Sequence, residues 1–537
     1  MVASLRMRWA WIAAAPVLFS PILYFGMPFR SVYCIVLISS FWIMEVAPTG
    51  IVSLLPIFLY PVLGISSAKS ICLVYFKDSI VLFICTLIMT LAVEETNLHK
   101  RVALKLLCSV GTRKQTMLLG FMGTTAFLSF FVSDTACTAL MIPIALAIIR
   151  TITRSTEASE DGRNDAATVE SAAFKHLKKD ERGFAKALVL ACAHGSLIGG
   201  TAIITSTGPN LVFREIIQTN YAENEVSVSY VQWMAFAMPP MLLYLASSFI
   251  VLTCCFMGPR QLCTWFTPQT KEEQRISVAV EKRIRTAYDE LGAITFGEKS
   301  VCAWFLILMA CWIMRKPGFI PGWGELFPDH GKLLSDTVPA ILVAFLLFAW
   351  PRDPWAKEPV PILNWNAMKA KFSWSCILLI GAGYAISEGV QKSGLSILIA
   401  CLMKDVFGKL DHVYLLFAVT ASITFMTEFA SNVSTGSVFI PIVLTIAESI
   451  HIHPLTLSLP VTVACSFAFM LPMATPPNAI VFDTKLVGML EMLLSGILLN
   501  ICCILITVLN LSTWTHWLFD LGTFPQLTQH YNGTLDC

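Results

Sequence analysis

The stretch "FFVSDTACTALMIPIA", residues 130–145, places the acid Asp134 within a segment that is otherwise apolar. A carboxylate inside a membrane is costly unless it has a partner or a task, so Asp134 is a candidate functional group. A second stretch, "SNVSTGSVFIPIVLTI" at 431–446, repeats the plan: Asn432 takes the place of Asp134, and Ile-Pro-Ile follows in both. The two stretches predict an internal repeat.

A second pair of segments matches in the same order. "TSTGPNLVF" at 205–213 aligns with "MATPPNAIVF" at 473–482 through its Pro-Asn pair. The interval between the two elements is longer in the first half, and the polar insert at 150–183 accounts for the difference. Each half therefore contains a polar Ser-Asx element followed by a Pro-Asn break.

The composition is that of a polytopic membrane protein. The chain has 537 residues, of which 56% are hydrophobic and 13% charged, and its mean hydropathy is +0.70. Soluble domains carry about a quarter charged residues. About eleven apolar runs of membrane-spanning length lie between Trp9 and Leu511. The predicted fold class is all-α. The net charge of +2 favours neither a nucleic-acid nor an acidic partner, and no nucleic-acid partner is expected.

Charge in the loops predicts the orientation. Basic loops at 97–115, 258–299 and 351–372, with the polar insert, are expected in the cytoplasm, whereas the base-poor segment 317–335 is expected outside. The N-terminal apolar run could pass for a signal peptide, but its length favours a retained first helix with a cytoplasmic N-terminus. The glycosylation sequon at Asn532 agrees with an extracellular C-terminal tail.

Glycine and proline interrupt apolar runs in both halves, at Gly199 and Gly200, at Gly208 and Pro209, and at Pro476 and Pro477. Broken helices expose N-termini that attract anions and unwound carbonyls that hold Na⁺, and matched breaks in two halves are typical of secondary transporters. Helix packing by Ser and Thr, or a simple proline kink, is the alternative for one such element. The repetition favours a site that binds an anion and a cation together.

The sequence shows no competing chemistry. It contains no nucleophile motif, phosphate loop or metal-ligand spacing, so we expect no enzyme and no cofactor beyond Na⁺ as coupling ion. His194 is expected to be a hydrogen-bonded packing residue. Glu45, Glu94 and Glu428 lie at span ends, where interfacial contact is the simplest expectation.

The motifs resemble the divalent anion/sodium symporter family, specifically its animal sodium-dependent dicarboxylate, citrate and sulfate cotransporters. The resemblance covers nearly the whole chain. It rests on "VEETNLHKRVALKLL" (93–107), "GFMGTTAFLSFFVSDTACTALMIPI" (120–144), "SLIGGTAIITSTGPNLV" (196–212), "GAGYAISEGVQKSGLS" (381–396), "TEFASNVSTGSVFIPI" (427–442) and "FAFMLPMATPPNAIVF" (467–482).

This resemblance implies an inverted repeat of about eleven transmembrane helices with two re-entrant hairpins, whose tips lie at 133–135 and 431–433. It also implies unwound segments near 205–210 and 474–478, a homodimer, and an elevator motion that carries sodium with one anion. The implied sodium-binding residues are Ser129, Ser133, Asp134, Gly199, Gly200, Thr427, Ala430, Asn432 and Ala474. The implied substrate-binding residues are Asp134, Thr135, Thr207, Asn432, Val433, Thr475 and Pro476.

The predicted division of the chain follows the same plan. Its segments are N-terminal scaffold helices with an amphipathic segment (1–115), the first hairpin (116–149), a cytoplasmic loop (150–184), first-repeat transport helices (185–257), a second cytoplasmic loop (258–299), second-repeat scaffold helices (300–372), connecting helices (373–410), the second hairpin (411–450), second-repeat transport helices (451–511) and the extracellular tail (512–537).

Asp134 departs from the family pattern, which has asparagine in the first tip. Ionised aspartate offers only acceptors, and its charge would repel a bound carboxylate by about 4 kcal/mol at an effective dielectric near 20. Three consequences are open: Asp134 is protonated when substrate binds, or it holds sodium that screens the repulsion, or the usual substrate is lost. Sodium screening is slightly favoured.

The predicted function is sodium-coupled symport of di- or tricarboxylates, such as succinate and citrate, across the plasma membrane. The alternatives are a symporter of sulfate or another inorganic anion, and a transport-deficient membrane binder or sensor.

Overall fold

The computed structural model describes residues 5–525 except 45, 112, 158–178, 222–225, 264–270, 316–321, 327–333, 373, 396–397, 399–411 and 473. The predicted glycosylation site Asn532, the interfacial residue Glu45 and most of the polar insert lie outside the described residues. The described part is helical, with one isolated β-bridge between Pro351 and Pro361 and no strand. This confirms the all-α prediction for that part of the chain.

Helices of the first half range from a single turn to more than six turns. They are α1 Leu5–Phe19, α2 Met27–Ile43, α3 Thr49–Val52, α4 Leu55–Val62, α5 Ala68–Val74, α6 Asp78–Glu95, α7 Leu98–Ser109, α8 Lys114–Leu128, α9 Asp134–Glu157, α10 Lys179–Gly199, α11 Gly208–Tyr221 and α12 Tyr230–Leu252.

Helices of the second half repeat part of this order. They are α13 Arg260–Cys263, α14 Lys271–Asp289, α15 Phe296–Ile313, α16 Thr337–Ala349, α17 Trp365–Lys371, α18 Trp374–Lys392, α19 His412–Met426, α20 Asn432–Ser449, α21 Pro454–Ala464, α22 Pro476–Asp483, α23 Met489–Asn510 and α24 His516–Leu518. The series α8–α12 therefore corresponds to α19–α23.

Several helices are long enough to cross a membrane. Within the described residues, six pass the length and composition test, and the bent pair Ile80–Glu95 and Leu98–Ser109 makes a seventh if it is one span. Five shorter apolar helices accompany them. The count of about eleven spans stays a prediction, because shorter helices cannot be assigned by length alone.

Two basic loops of the sequence prediction contain helices. The segment 97–115 holds α7, and 258–299 holds α14, which packs against α7 and α9. The high charge of both segments predicts loops. Their apolar residues recur on one helical face, however, and that face packs on the helix bundle.

Arg101 on α7 joins α7 and the turn after α14 to α15. Its Nε donates to Glu298 Oε1 at 2.7 Å, and its Nη1 donates to the Gly292 carbonyl oxygen at 2.9 Å. Glu298 also forms a capping box with Thr295 at the start of α15. One guanidinium therefore donates hydrogen bonds both to a buried carboxylate and to a carbonyl oxygen of the turn before the helix.

We expect Arg101→Met to lower the melting temperature of the purified protein by several degrees. Removing one partner of a buried ion pair leaves the other charge uncompensated, at a cost of about 3–5 kcal/mol. Lys105→Met is the matched control, because Lys105 is exposed on the same helix. Equal melting temperatures for the two variants would contradict the role given to Arg101.

The repeated helices pack across the two halves. Helix α10 packs along α8, and α21 packs along α19, so each broken helix lies beside its own helix–turn–helix unit. In addition, α11 packs against α20, α22 packs against α9, and α12 packs against α23. The elements predicted to carry the site are thus brought together from both halves.

Candidate functional site

The turn between α8 and α9 gathers oxygen atoms from three segments. The buried Ser129 hydroxyl oxygen lies 2.8 Å from Asp134 Oδ1 and 2.7 Å from the Ser196 carbonyl oxygen. A hydroxyl has one hydrogen, so it can donate to only one of these acceptors at a time. Ser133 caps α9 by accepting from the Ala136 backbone N–H at 3.4 Å. The cluster is rich in lone pairs, and a monovalent cation fits such a ligand set.

The turn between α19 and α20 has the same geometry. The buried Thr427 hydroxyl oxygen lies 3.0 Å from Asn432 Oδ1 and 2.7 Å from the Cys465 carbonyl oxygen. Ser431 caps α20 by accepting from the Ser434 backbone N–H at 3.4 Å. The second cluster therefore differs from the first chiefly in having an amide where the first has a carboxylate.

The unwound segments lie earlier than the sequence predicts. They occupy 200–207, between α10 and α11, and the described residues of 465–475, which exclude residue 473, between α21 and α22, rather than 205–210 and 474–478. The Pro-Asn pairs belong to the first turn of the following helix. Proline is favoured there, because the first-turn N–H groups have no partner within the helix in any case.

Two asparagines close the unwound segments, and the sequence-based site did not include them. Asn210 Nδ2 donates to the carbonyl oxygens of Gly200 at 3.3 Å and Ile203 at 3.0 Å. Asn478 Nδ2 donates equivalently to Ala468 at 2.8 Å and Leu471 at 3.1 Å. Their matched positions in the repeat were the signal that could have identified them.

Each unwound segment also presents an unsatisfied hydroxyl. Within the described part of the chain, the buried Thr207 and Thr475 hydroxyls have no hydrogen-bond partner, and neither do the Oδ1 atoms of Asn210 and Asn478. Buried polar groups normally have partners, so these atoms can still form hydrogen bonds to a ligand. The threonine hydroxyls can donate to an anion.

The first unwound segment lies between the two tips. A Cβ atom at Gly200 would lie 2.8 Å from Asp134 Oδ1 and 2.7 Å from Thr207 Cγ2. A Cβ atom at Gly208 would lie 2.4 Å from Val433 Cγ2. Glycine is required at both positions because the chain passes too close to each tip for a side chain.

The remaining predicted residues occupy more peripheral positions. Thr135 and Pro476 are exposed, Ala430 is half-buried, and Ala474 is buried in the second unwound segment. Gly199 ends α10 against α8, where a Cβ atom would lie 2.4 Å from the Ala126 carbonyl oxygen. These residues shape the site through backbone and packing.

Glu428 is not the interfacial residue that the sequence predicts. It is completely buried, and its carboxylate accepts backbone N–H groups of the second unwound segment. Its position beside Thr427 at a helix end suggested an interfacial residue, whereas the neighbouring unwound segment encloses it. His194 behaves as expected, because its Nδ1 is hydrogen-bonded to Ser248 Oγ at 3.0 Å.

A cavity opens beside the first tip. It has a volume of about 60 Å³ and separates the tip and first unwound segment from α6 and α15. Ser133, Thr205 and Ser206 form its polar side, and Phe83, Phe131 and Phe305 are among the residues of its apolar side. The cavity has room for a few water molecules beside the first tip.

Comparison of the sequence with known proteins identifies a family. The family model described as the sodium:sulfate symporter transmembrane region matches residues 10–521. Sodium-dependent high-affinity dicarboxylate transporter 2 of Caenorhabditis elegans is 54% identical over 524 residues, covering 96% of this chain and 95% of the relative. The Na(+)/citrate cotransporter of Rattus norvegicus is 34% identical over 530 residues, covering 92% of each.

A solved structure shares the fold at low identity. The Neisseria gonorrhoeae MtrF structure, described as illuminating a class of antimetabolite efflux pumps, aligns with a TM-score of 0.52 and 12% identity over 84% of this chain and 83% of that one. The likeness concerns the fold alone. From the family match and the relatives, this chain belongs to the sodium:sulfate symporter transmembrane family, a family of multi-pass membrane transporters.

Proposed function

We propose that this protein is a sodium-coupled symporter of di- and tricarboxylates, such as succinate and citrate. The observation that carries the proposal is the pair of hydroxyl–Asx–carbonyl clusters, Ser129–Asp134–Ser196 and Thr427–Asn432–Cys465. The dicarboxylate and citrate names of the relatives support the choice of anion. Their 54% and 34% identities extend over nearly the whole chain.

In this proposal each cluster holds one sodium ion. Ser129, Ser133, Asp134 and the carbonyl groups near Gly199 and Gly200 surround the first. The second is surrounded by residues of the matching turn and unwound segment, which are Thr427, Ala430, Asn432, Ala474 and the Cys465 carbonyl group. Coordination by unwound backbone and hydroxyl oxygens is the usual form of such sites.

The anion lies between the two tips. The unpartnered Thr207 and Thr475 hydroxyls donate to its carboxylates, and Thr135, Val433 and Pro476 border it. Four helices begin at or beside these residues, α9, α11, α20 and α22, and the positive ends of their dipoles favour negative charge. Bound sodium offsets the repulsion between Asp134 and the anion.

Transport then requires the site to face each side of the membrane in turn. We propose that α8–α12 and α19–α23 move together as an elevator within a homodimer, with the α8–α9 and α19–α20 units as re-entrant hairpins. Arg214 of α11 is ion-paired with Asp336, which precedes α16, and Arg315 Nη1 lies 2.9 Å from Asp336 Oδ1. This charged contact joins the moving group to the fixed one and would have to change during the motion.

The proposed location is the plasma membrane, with a cytoplasmic N-terminus and an extracellular, glycosylated C-terminal tail. The basic segments 97–115 and 351–372 support this orientation.

The direct test is uptake of radiolabelled succinate and citrate into cells that express the full chain, with sodium or choline outside. We expect uptake only with sodium, because the cation must occupy the clusters before the anion is held. Excess unlabelled sulfate should compete weakly and excess succinate strongly. The proposal would be refuted by equal uptake in sodium and in choline. It would also be refuted if the protein reached the cell surface and no uptake occurred.

A further inference from the structure

Two ion pairs connect α11, the helix that follows the first unwound segment, to helices outside the proposed moving group. Arg214 is paired with Asp336, which directly precedes α16. The next residue of α11 is Glu215, and its Oε1 lies 3.7 Å from Nζ of Lys77, which directly precedes α6. Arg214, Glu215 and Asp336 are buried. Neighbouring residues of α11 therefore make contacts of opposite polarity with two fixed helices.

An aromatic pair crosses the same boundary. Tyr230, the first residue of α12, is stacked on Trp312 of α15, with ring centroids 5.3 Å apart and an interplanar angle of 9°. Arg214 Nη1 donates to the Tyr230 hydroxyl oxygen at 3.0 Å. Trp312 Nε1 donates to the Asp336 carbonyl oxygen at 3.0 Å. These four buried residues, two moving and two fixed, form one closed network, which we call the α11 clasp.

The α11 clasp lies at one end of the cavity beside the first tip. Trp312, close to the end of α15, is a member of the clasp and also lines the cavity. Along α6 the lining residues run from Phe83, near the start of the helix, to Thr90. Thr90 Oγ1 donates to the carbonyl oxygen of Phe131, in the turn before α9, at 3.3 Å. The cavity therefore extends from the first tip to the clasp.

The clasp lies toward the outer side in the proposed orientation. Trp312 precedes and Asp336 follows the base-poor segment 317–335, which is expected outside. In that orientation the clasp stands between the cavity and the extracellular solution.

Helix α11 connects the clasp to the anion site. Thr207, which the proposed function places on the anion, directly precedes this helix, and Arg214 follows about two helical turns later. The start of the helix, Gly208, approaches Val433 of the second tip. Displacement of α11 as one body therefore moves the unwound segment and breaks the clasp in the same step.

We propose that the α11 clasp is an outer lid, which closes the cavity beside the first tip against the outside and admits solutes to that tip when it opens. The inference rests on the proposed function, because it takes the moving group and the orientation from it. The contact between Lys77 and Glu215 supports the same closure at the start of α6. Loss of either ion pair therefore makes opening more frequent.

The test measures how fast a cysteine inside the cavity reacts with a membrane-impermeant thiol reagent added outside intact cells. Thr86→Cys is the reporter, because Thr86 lines the cavity from the fixed helix α6. We expect Arg214→Met to raise the reaction rate of the reporter about tenfold, since the central group of the clasp is removed and local opening becomes more frequent. Cells that express the chain without the reporter give the background from its own cysteines.

Lys186→Met is the matched control for this variant. Lys186 of α10 is ion-paired with Glu491 in the first turn of α23, and both helices belong to the moving group. The control loses an ion pair without opening the boundary, so the reaction rate should stay within about twofold of the wild-type value.

A second variant tests the lid if Arg214→Met does not reach the cell surface. Glu215→Gln breaks only the contact with Lys77, and it should raise the reaction rate about threefold. The proposal would be overturned if the rate rose in neither variant, or if Lys186→Met raised it equally.

Uptake and labelling separate this inference from the transport proposal, because labelling requires no transport. If the wild type takes up no succinate and Arg214→Met still exposes the reporter, the lid stands while the transport proposal fails. If the wild type shows sodium-dependent uptake and neither variant changes labelling, the lid fails while the transport proposal stands.

Discussion

Gly199→Ala is expected to lower sodium-dependent uptake at least about tenfold per molecule at the surface. The Cβ atom of the alanine would lie 2.4 Å from the Ala126 carbonyl oxygen and 2.5 Å from Ala126 Cα. Both are backbone atoms, so no change of side-chain rotamer can relieve the clash. Overpacking of this kind costs about 1–3 kcal/mol and forces helices apart. Because Ser129 follows α8 and Ser196 lies on α10, separating these helices breaks the 2.7 Å contact of the first cluster.

Gly123→Ala provides the matched control for this prediction. Gly123 lies on α8, the helix that Gly199 meets at Ala126, and a Cβ atom at Gly123 would meet nothing within 4 Å. Alanine also favours a helix over glycine by about 0.5–1 kcal/mol, so uptake should be unchanged and the protein no less stable. Similar losses in both variants would mean that contact between α8 and α10 is not what Gly199 provides. Surface biotinylation normalises both measurements.

Asp134→Asn is expected to weaken the binding of sodium and to strengthen the binding of the anion. The sodium concentration for half-maximal uptake should rise about tenfold, because the amide has no charge to attract the ion. Half-saturation by succinate at very high sodium should fall, because the repulsion between two carboxylates is removed and the amide N–H₂ can donate to the anion. The measurement is uptake over a grid of sodium and succinate concentrations.

The controls for Asp134 test its charge and its shape separately. Asp134→Ala removes the oxygen ligand altogether and should abolish uptake, whereas Asp134→Glu keeps the charge but displaces it from Ser129. If Asp134→Asn alters neither half-saturation value, sodium screening is excluded. If the wild type is silent and Asp134→Asn transports, the aspartate disables or redirects an otherwise intact carrier.

The residues alone identified the two turns of the site, through the aligned elements at 133–148 and 431–446. The hydroxyl residues at these turns were implied by the family resemblance, and the structure places Ser129 against Asp134 and Thr427 against Asn432. Both contacts join residues five positions apart on either side of one turn.

Contributions from the main chain could not be predicted. Ser196 and Cys465 take part through their carbonyl oxygens, which every residue has, so their side chains gave no signal. The unwound segments were placed too late along the chain for a related reason. Proline and asparagine mark where a helix resumes, and the residues before them have no distinctive type.

Hydropathy, glycine and proline act locally, so the order of residues was enough to identify the membrane class, the internal repeat and the two polar turns. How the two halves interlock became visible only in the folded chain. It placed Gly208 of the first half against Val433 of the second, and it enclosed Glu428 within the segment 465–475. Such contacts join residues far apart in the chain, and they depend on which helix faces pack together, a choice that the periodicity of each separate helix leaves open.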